Sequence, residues 1–363
     1  MYQEKNFGCL LIPQNFILLS RLNLKKQTRM SLKKFLAHKM ITHRKSRVIP
    51  IEELEQKHTD PDIFAYNDSS YFAGVSREGF TFVTRQAFRT GKHNENWLKV
   101  HIPGEGVWGF EDLDMPEGDG FKQGTLEYVC VKPGEVWDIK YEGPVFKDGK
   151  EEQIKLDLKW HSTSPIMDFD KAGTSPRQVA EQIAKQKWNK EFFKRLREIH
   201  LVHIEQGGEI TGTITWKGKG NSVKLKGVRD HSFGKRNWEE WSRHIWFLGI
   251  LDDGRFFNVS VIDYDFVKNL KAGFIFDGEK YVTFARTPSF EDLNLPELLP
   301  HKLEFRVKET EKGEEIPITT DMQEFFPFMM DDVYHIRQSK AEFTYGNVKG
   351  IGIAEMGIAK RML

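Results

Sequence analysis

Alternation of apolar and polar residues with a period of two constrains the fold of this chain more than any other feature. In the stretch EEQIKLDLKWHSTSP, one face of an extended chain carries Ile154, Leu156, Leu158 and Trp160, and charged residues occupy the other face. This pattern is typical of an antiparallel strand that buries one face. Short runs of the same kind continue from Tyr71 towards the C-terminus without a strand–helix–strand rhythm. The sequence therefore predicts a mainly β fold and disfavours a parallel nucleotide-binding sheet.

Turn residues between these runs predict a series of β-hairpins. The alternating runs are separated by Gly, Pro-Gly or Asp-Gly, which favour tight turns. We expect hairpin turns at residues 77–79, 133–134, 207–208, 252–254 and 277–278, and another in the stretch GKGN at 218–221. The final run, NVKGIGIAEMGIA, indicates a strand whose glycines let the sheet bend, and its glycine spacing does not fit a dinucleotide loop.

One helical segment interrupts the strands. The stretch TSPRQVAEQIAKQKWNKEFFKRLREI has an apolar stripe at helical spacing. It predicts one long helix with Ser175 as N-cap, Pro176 in the first turn and Gln178 closing a capping box. A helix between two strand-rich halves is a natural domain junction. The predicted organisation is an N-terminal extension over residues 1–60, a β domain over 61–170, a linking helix over 171–199 and a second β domain over 200–363.

Charge is distributed unevenly along the chain. Residues 1–50 contain 11 Lys or Arg and one acidic residue, Glu4, whereas the remainder contains 43 basic and 52 acidic residues. The acidic body disfavours nucleic-acid binding, which requires a basic face. The basic head predicts a disordered extension. Its composition also fits an organelle-targeting segment, or a stretch upstream of a second start at Met30.

Cysteine content and hydropathy indicate the compartment. The two cysteines, Cys9 and Cys130, cannot form a disulfide framework or, by themselves, a cysteine-based zinc site. No apolar run is as long as a membrane span. We therefore expect a soluble intracellular protein, in the cytoplasm unless the basic head directs it to an organelle.

The densest group of polar residues is the stretch GVRDHSFGKRNW at 227–238. A serine nucleophile is disfavoured because Asp230 stands where a nucleophile elbow has glycine, and His231 is the direct neighbour of Ser232. A metal site of two histidines and one carboxylate could combine His203 and Glu205, two apart on one strand face, with His231. This spacing permits a metal site without requiring one. Our prediction is that neither a metal nor another cofactor is bound.

Two interpretations of the motif remain open. Arg229 beside Asp230 would keep that carboxylate ionised, and His231 titrates near neutrality, so these residues could perform acid–base chemistry in an apolar cavity. They could equally form a buried ionic network that braces two barrels, where loss of one partner costs about 3–5 kcal/mol. The predicted catalytic residues are Asp230, His231 and Arg229. The predicted ligand-binding residues are His203, Glu205, Trp238, Phe233 and Trp246.

Several stretches resemble the motifs of the double-lipocalin superfamily. HIEQGGEITGTITW, LKGVRDHSFGKRNW and the closing GIGIAEMG are similar to motifs of carotenoid 1,2-hydratase, AttH-like proteins and lipocalin-type Diels–Alderases. DLKWHSTSPIMDF and YEGPVF match the N-terminal half of the same pattern, so the resemblance extends from about Asp62 to the C-terminus. Similar stretches also precede the catalytic module of animal phosphoenolpyruvate synthase-like proteins, and that module is not represented in these residues.

The resemblance implies two lipocalin-like antiparallel β-barrels packed together, with an apolar ligand cavity near the shared motif. Members with known chemistry act on isoprenoid or polyketide molecules without a cofactor. The implied function is binding of a small hydrophobic molecule, with isomerase, hydratase or cyclase chemistry as its catalytic form. The alternatives are a carrier that only binds the molecule and an accessory partner of a phosphotransfer enzyme.

In the catalytic case, the resemblance implies a role for each motif residue. Asp230 or His231 would donate the proton, Arg229 would be the electrostatic partner, and Trp238 would form a wall for a cationic intermediate. Asn237 replaces an Asp that is usual in the family, which removes one potential acid at this position.

Overall fold

The computed structural model describes residues 26–43, 48–111, 115–293 and 300–363. The helices are α1 (Lys26–Thr42), α2 (Ile51–Leu54), α3 (Pro176–Lys185), α4 (Lys190–Glu198) and α5 (Phe290–Leu293), with 3₁₀ turns at Trp238–Glu240 and Lys360–Met362. The first strands are β1 (Tyr66–Val75), β2 (Thr81–Arg89), β3 (Glu95–Ile102), β4 (Gly106–Glu111), β5 (Phe121–Gln123), β6 (Leu126–Lys132), β7 (Val136–Lys147), β8 (Lys150–Ser162), β9 (Met167–Asp168), β10 (Val202–Trp216) and β11 (Lys219–Lys235). The later strands are β12 (Trp241–Leu251), β13 (Phe256–Tyr264), β14 (Leu270–Phe276), β15 (Tyr281–Thr283), β16 (Lys302–Val307), β17 (Ile316–Met330), β18 (Tyr334–Tyr345) and β19 (Val348–Ala359). Within these residues, no helix combines the length and the apolar character needed to cross a membrane.

The first sheet contains β1 to β11 in the hydrogen-bonded order β4-β3-β2-β1-β11-β10-β8-β7-β6-β5, with β9 paired to β10. Its neighbouring strands are antiparallel, as in the ten-residue pairing of β1 with β11. A bridge between Gly109 of β4 and Phe146 of β7 closes this path into a barrel. Large apolar side chains fill the interior of the barrel, among them Phe72, Phe82, Trp108, Trp137 and Trp160.

The second sheet contains β12 to β19 in the order β15-β14-β13-β12-β19-β18-β17-β16. An isolated bridge between Arg286 and Lys308 joins the segments that follow its two edge strands. Its interior is also packed with apolar residues, among them Phe247, Phe257, Phe284, Phe305 and Phe343.

The predicted fold class is confirmed: the protein is mainly β, with two lipocalin-like antiparallel sheets packed together. The predicted turns at residues 77–79, 133–134, 252–254 and 277–278 connect β1 to β2, β6 to β7, β12 to β13 and β14 to β15. Burial alternates along β8 as predicted, with Ile154, Leu156, Leu158 and Trp160 buried.

The predicted turn at residues 207–208 is wrong. β10 runs without a break from Val202 to Trp216, and the hairpin turn to β11 follows at Lys217 and Gly218. The two glycines instead allow aromatic side chains to approach the backbone of β10 closely. A Cβ atom on Gly207 would lie 2.9 Å from Phe256 of the second sheet, and one on Gly208 would overlap the indole nitrogen of Trp160.

The strands divide between the two sheets at a different place from the predicted domain boundary at residue 200. β10 and β11 belong to the first sheet, where β11 pairs with β1 and β10 pairs with β8. The change from one sheet to the other therefore falls between β11 and β12. Local sequence could not indicate this, because β1 and β11 are about 160 residues apart and their pairing is non-local.

Two shorter helices replace the predicted single long helix. The Asn189 side chain accepts a hydrogen bond from the Phe192 backbone N–H at 2.7 Å, and the Trp188 indole donates to the Ile183 carbonyl at 2.9 Å. Asn favours an N-cap over a helix interior, so the chain ends α3 and begins α4 here. The predicted capping box is absent from α3, since Gln178 instead accepts hydrogen bonds from Thr287.

Folded elements replace much of the predicted disordered extension. Residues 1–25, which include Cys9, lie outside the described residues. Helix α1 packs on α3 and buries Ala37 completely. Residues 48–60, which we name the anchor segment, contain α2 and pack on the first sheet, where Leu54 clusters with Ile204 and Phe233.

The two sheets pack against each other through a mainly apolar layer, which we name the seam. Trp97 of the first sheet stacks on Phe328 of the second with ring centroids 4.1 Å apart. Val228 and Tyr71 belong to the same buried cluster as Phe256 and Leu248. Side chains of β1, β10 and β11 that point away from the barrel interior therefore meet the second sheet.

Candidate functional site

The residues of the Arg-Asp-His motif point to opposite faces of β11. Arg229 and His231 face the interior side of the first barrel, where the Arg229 guanidinium lies 4.6 Å from the Trp137 ring and His231 contacts Phe121 edge-on at 5.3 Å. Asp230 faces the seam, as expected from the alternation of side chains along a strand. The predicted pairing of Arg229 with Asp230 is therefore wrong, because neighbouring strand residues do not share a face.

Arg229 instead pairs with a carboxylate from the anchor segment. Its guanidinium donates to Glu55 Oε1 at 2.9 Å, makes a second, shorter contact with Glu55 Oε2, and donates to Gln206 Oε1 at 2.9 Å. Arg229 is only 1 % exposed. The Gln206 amide in turn donates to the carbonyls of Gly134 and Ser164. This geometry is that of a buried brace, which was one of the two interpretations of the motif.

His231 belongs to a second buried group on the same face. His231 Nε2 lies 2.8 Å from Asp68 Oδ1, and His58 Nδ1 lies 3.2 Å from Asp68 Oδ2. The His58 backbone N–H also donates to Asp68. Burial acts to raise the pKa of Asp68, but the charge of His231 and the hydrogen bonds from both histidines outweigh it and lower the pKa. We name His58, Asp68 and His231 the imidazole triad.

On the seam face, Asp230 meets His203 and Glu205 of β10. His203 Nε2 forms an ion pair with Asp230 and lies 3.4 Å from Glu205 Oε1. Burial opposes charge on His203, but the Asp230 carboxylate outweighs that effect and raises the pKa of His203. Burial acts to raise the pKa of Asp230, but the charge of His203 and its hydrogen bond outweigh burial and lower the pKa. We name His203, Glu205 and Asp230 the acid–base cluster.

Glu205 has a raised pKa, in contrast to Asp230 in the same cluster. Burial raises its pKa to about 7, in spite of the charge of His203, and the neighbouring Asp230 adds to the rise. The Trp246 indole donates to Glu205 Oε1 at 2.7 Å, and the Asn258 amide donates to both carboxyl oxygens at 3.0 and 2.9 Å. A fully buried carboxyl group thus gains or loses a proton near neutral pH, in a fixed orientation.

Two other residues predicted to bind ligand lie elsewhere. The Trp238 indole donates to Glu95 at 3.2 Å, and Glu95 is ion-paired with Arg85 and Arg89. Trp238 therefore belongs to a separate buried network. Phe233 stacks on the His58 ring with centroids 3.7 Å apart, so it supports the imidazole triad and does not face the seam.

The structure separates the three residues considered for a metal site. His203 and Glu205 share the seam face of the first sheet, whereas His231 faces the barrel interior. Within the described residues, two other groups bring three ligand atoms within 4.8 Å of one another: the imidazole triad and the acid–base cluster.

An open cleft of about 300 Å³ lies along β9, the short strand that pairs with Ile204 and Glu205 of β10, and none of the three acid–base cluster residues lines it. Its walls come from three parts of the chain: the anchor segment, the β9 region and β15. The lining residues are Ile49, Ile51, Leu54, Ile166, Met167, Asp168, Lys171, Ala172 and Tyr281. Met167 pairs directly with Glu205, and the Phe169 ring stacks on His203 with centroids 4.5 Å apart. The cleft differs from the predicted barrel cavity in position, since packed aromatic rings fill the first barrel.

The sequence contained signals for some of the residues that were missed. The stretch Asn67–Asp68–Ser69–Ser70 places four polar residues inside β1, and all four are buried. Polar residues on both faces of a strand indicate buried hydrogen-bonding groups, so Asp68 could have been found. Glu55 and His58 gave no such signal, because the anchor segment has no periodic pattern.

A family model and two solved structures are similar to this chain. A family model described as a domain of unknown function (DUF7064) matches residues 51–359. The fold is similar to the crystal structure of a putative AttH from Nitrosomonas europaea, with 13% sequence identity, a TM-score of 0.55, and coverage of 87% of this chain and 98% of that chain. It is also similar to the crystal structure of CghA, with 10% identity, a TM-score of 0.47, and coverage of 81% of this chain and 87% of that chain.

The comparisons give no support for the similarity to the region that precedes phosphoenolpyruvate synthase-like modules. No curated protein matches the sequence. At this level of identity, the similarity to solved structures extends to the fold alone. The match to the family model covers most of the chain, from the anchor segment to the last strand. The chain therefore belongs to the family defined by the domain of unknown function DUF7064.

Proposed function

We propose that the protein binds a small, largely apolar molecule in the cleft and transfers protons to or from it through Glu205 and His203. The observation that carries this proposal is a buried carboxyl group with a pKa of about 7 on β10, whose partner strand β9 lines an apolar cleft. General acid–base catalysis is most effective when the pKa of the group is close to the working pH. Perturbed carboxyl groups beside a cleft are typical of functional sites.

The composition of the cleft favours an apolar molecule with a polar end. Seven of its nine lining residues are apolar or aromatic, and the two charged ones, Asp168 and Lys171, form an ion pair at 3.0 Å. A volume of about 300 Å³ is at the small end of the range for ligand pockets. The acid–base cluster next to the cleft would interact with the polar end of the molecule.

The chemistry that fits these groups is isomerisation, hydration or cyclisation without a cofactor. Protonated Glu205 would donate a proton to an alkene or enol. The His203 imidazolium would then reprotonate Glu205 and, once neutral, accept the proton that the molecule loses. Asp230, ion-paired with His203, would stabilise the imidazolium form. Trp246 and Asn258 would hold the Glu205 carboxyl group in place. This assignment moves the proposed proton donor from Asp230 or His231 to Glu205.

Extraction of the purified protein with organic solvent, followed by mass spectrometry, tests the binding site. We expect a small apolar molecule from the wild type and its loss from Ala172→Trp, because the indole would occupy the cleft. The matched control is Val129→Trp, which places the same ring on an exposed strand position that does not line the cleft. Equal recovery from Ala172→Trp and the wild type would contradict the proposed site.

Deuterium incorporation tests the chemistry. After incubation of the protein and its extracted ligand in D₂O, we expect the wild type to introduce deuterium at carbon and Glu205→Gln to introduce none. A carrier that only binds the molecule would leave its mass unchanged in both proteins. Retention of the molecule by Glu205→Gln would show that the cleft is intact.

A further inference from the structure

The imidazole triad presents three typical metal ligands from three separate parts of the chain. His58 comes from the anchor segment, Asp68 from β1 and His231 from β11. One ligand atom from each lies within 4.8 Å of the other two. Two imidazoles and one carboxylate form a donor set that Zn²⁺ and Fe²⁺ accept.

The partners of the buried Asp68 carboxylate are histidines. Across the described residues, its hydrogen bonds come only from His58 and His231, and no Lys or Arg contacts it. Three other buried carboxylates are ion-paired with arginine, namely Glu55 with Arg229, Glu95 with Arg85 and Asp263 with Arg243, whereas Glu205 and Asp230 contact His203. A buried carboxylate without a permanent cation is costly, and a bound metal ion would supply the missing charge.

The ring nitrogens that face Asp68 are His231 Nε2 and His58 Nδ1, so an ion bound beside Asp68 would use these two atoms and leave the other ring nitrogens as they are. His231 is completely buried, and its Nδ1 has no hydrogen-bond partner among the described residues; the same holds for His58 Nε2. Buried polar groups are otherwise almost always hydrogen-bonded.

The two rings are held in place by aromatic contacts. His58 stacks on Phe233 with an interplanar angle of 13°, and His231 meets Phe121 edge-on. Metal–ligand bonds of about 2.0–2.1 Å in a tetrahedral site place neighbouring ligand atoms about 3.3 Å apart. The nitrogen–oxygen separations in the triad, 2.8 and 3.2 Å, run to different oxygens of Asp68, so the side chains would have to adjust to surround one ion. The His58 side chain is 16 % exposed, which leaves a route for an ion to enter.

We propose that His58, Asp68 and His231 bind a divalent transition-metal ion. The site is separate from the acid–base cluster, because it lies on the opposite face of β11. The acid–base cluster is the less suitable of the two groups, since Glu205 already accepts hydrogen bonds from Trp246 and Asn258. The ion would link the anchor segment to the first barrel.

Metal binding to the full chain tests this proposal. After treatment with a chelator, the protein is dialysed against Zn²⁺, and the bound metal is measured by mass spectrometry. We expect one ion per chain in the wild type, at least tenfold weaker binding in His58→Gln, and unchanged binding in the control His203→Gln. Absence of stoichiometric binding, or loss of binding in His203→Gln alone, would overturn the proposal.

A second measurement uses the wild type alone, so it does not depend on whether a variant folds. Co²⁺ replaces Zn²⁺, and its paramagnetism shifts the N–H signals of coordinated imidazoles in the NMR spectrum. Two shifted, exchangeable imidazole signals are expected from His58 and His231. A single shifted signal would place the metal on the acid–base cluster, which has one histidine, and would contradict the proposal.

Discussion

Replacing Arg229 should destabilise the protein strongly, because Arg229 neutralises a carboxylate that the fold buries. The side chains of Arg229 and Glu55 are 1 % and 2 % exposed. In Arg229→Met, the Glu55 carboxylate and the Gln206 oxygen lose their guanidinium donor. Breaking a buried ion pair by removing one partner costs about 3–5 kcal/mol. We expect a decrease of that size in the free energy of unfolding at neutral pH.

A double replacement separates the cost of an unpaired charge from the cost of lost packing. When Arg229→Met is combined with Glu55→Leu, both charges are removed, and apolar replacement of a buried pair is often close to neutral. We therefore expect the double variant to be at least about 2 kcal/mol more stable than the sum of the single effects predicts. The matched control is Arg77→Met, which breaks an exposed pair with Asp252 and should cost less than about 1 kcal/mol.

Denaturant titration followed by circular dichroism measures these free energies. A loss below about 1 kcal/mol in Arg229→Met, or additive effects in the double variant, would refute the assignment of Arg229 as a brace. Leu54, which precedes Glu55, lines the cleft. We therefore also expect Arg229→Met to retain less of the extracted molecule than Arg77→Met does.

Three further predictions follow from the fold and the site. Gly207→Ala should lower the free energy of unfolding by about 1–3 kcal/mol, since its Cβ would lie 2.9 Å from the Phe256 ring; an unchanged denaturation midpoint would contradict this. Asn189→Ala should lower it by about 1 kcal/mol, because the N-cap bond to Phe192 is lost, whereas Asn189→Ser should largely preserve it. Burial raises the pKa of Glu205 from 4.5 to about 7. Between pH 4.5 and 7 the folded protein therefore keeps Glu205 protonated while the unfolded chain loses that proton, so the free energy of unfolding falls as pH rises. Glu205→Gln should therefore remove a decline of about 3 kcal/mol between pH 4.5 and 7, and identical pH profiles for both proteins would contradict that.

The local sequence pattern was sufficient to predict much of the fold, and the predictions that were wrong failed for physical reasons. The alternation along β8 predicted its buried face correctly, because large apolar residues such as Ile154 and Trp160 are found mainly on the buried face of a strand. The pair Gly207–Gly208 was misassigned because glycine serves equally for a turn and for close approach of another backbone or ring. The sheet to which β10 and β11 belong depends on pairing with a strand distant in sequence, which no local pattern encodes.

The candidate site was predicted only in part. His203, Glu205 and Asp230 do meet, as expected for the seam face of two paired strands. The separation of Arg229 from Asp230 followed from the two-residue period, and applying that period to the motif would have revealed it. The pairing of Glu55 with Arg229 could not be predicted, because the short anchor segment has no periodic pattern that indicates which residue it contacts.

The central claim is that the Glu205 carboxyl group exchanges its proton near neutral pH. Carbon-13 NMR of the glutamate carboxyl groups, with Glu205→Gln to assign the signal, measures this titration directly. A midpoint near pH 7 is the predicted result. A midpoint near 4.5, the ordinary value for glutamate, would contradict the proposed role of Glu205 as proton donor.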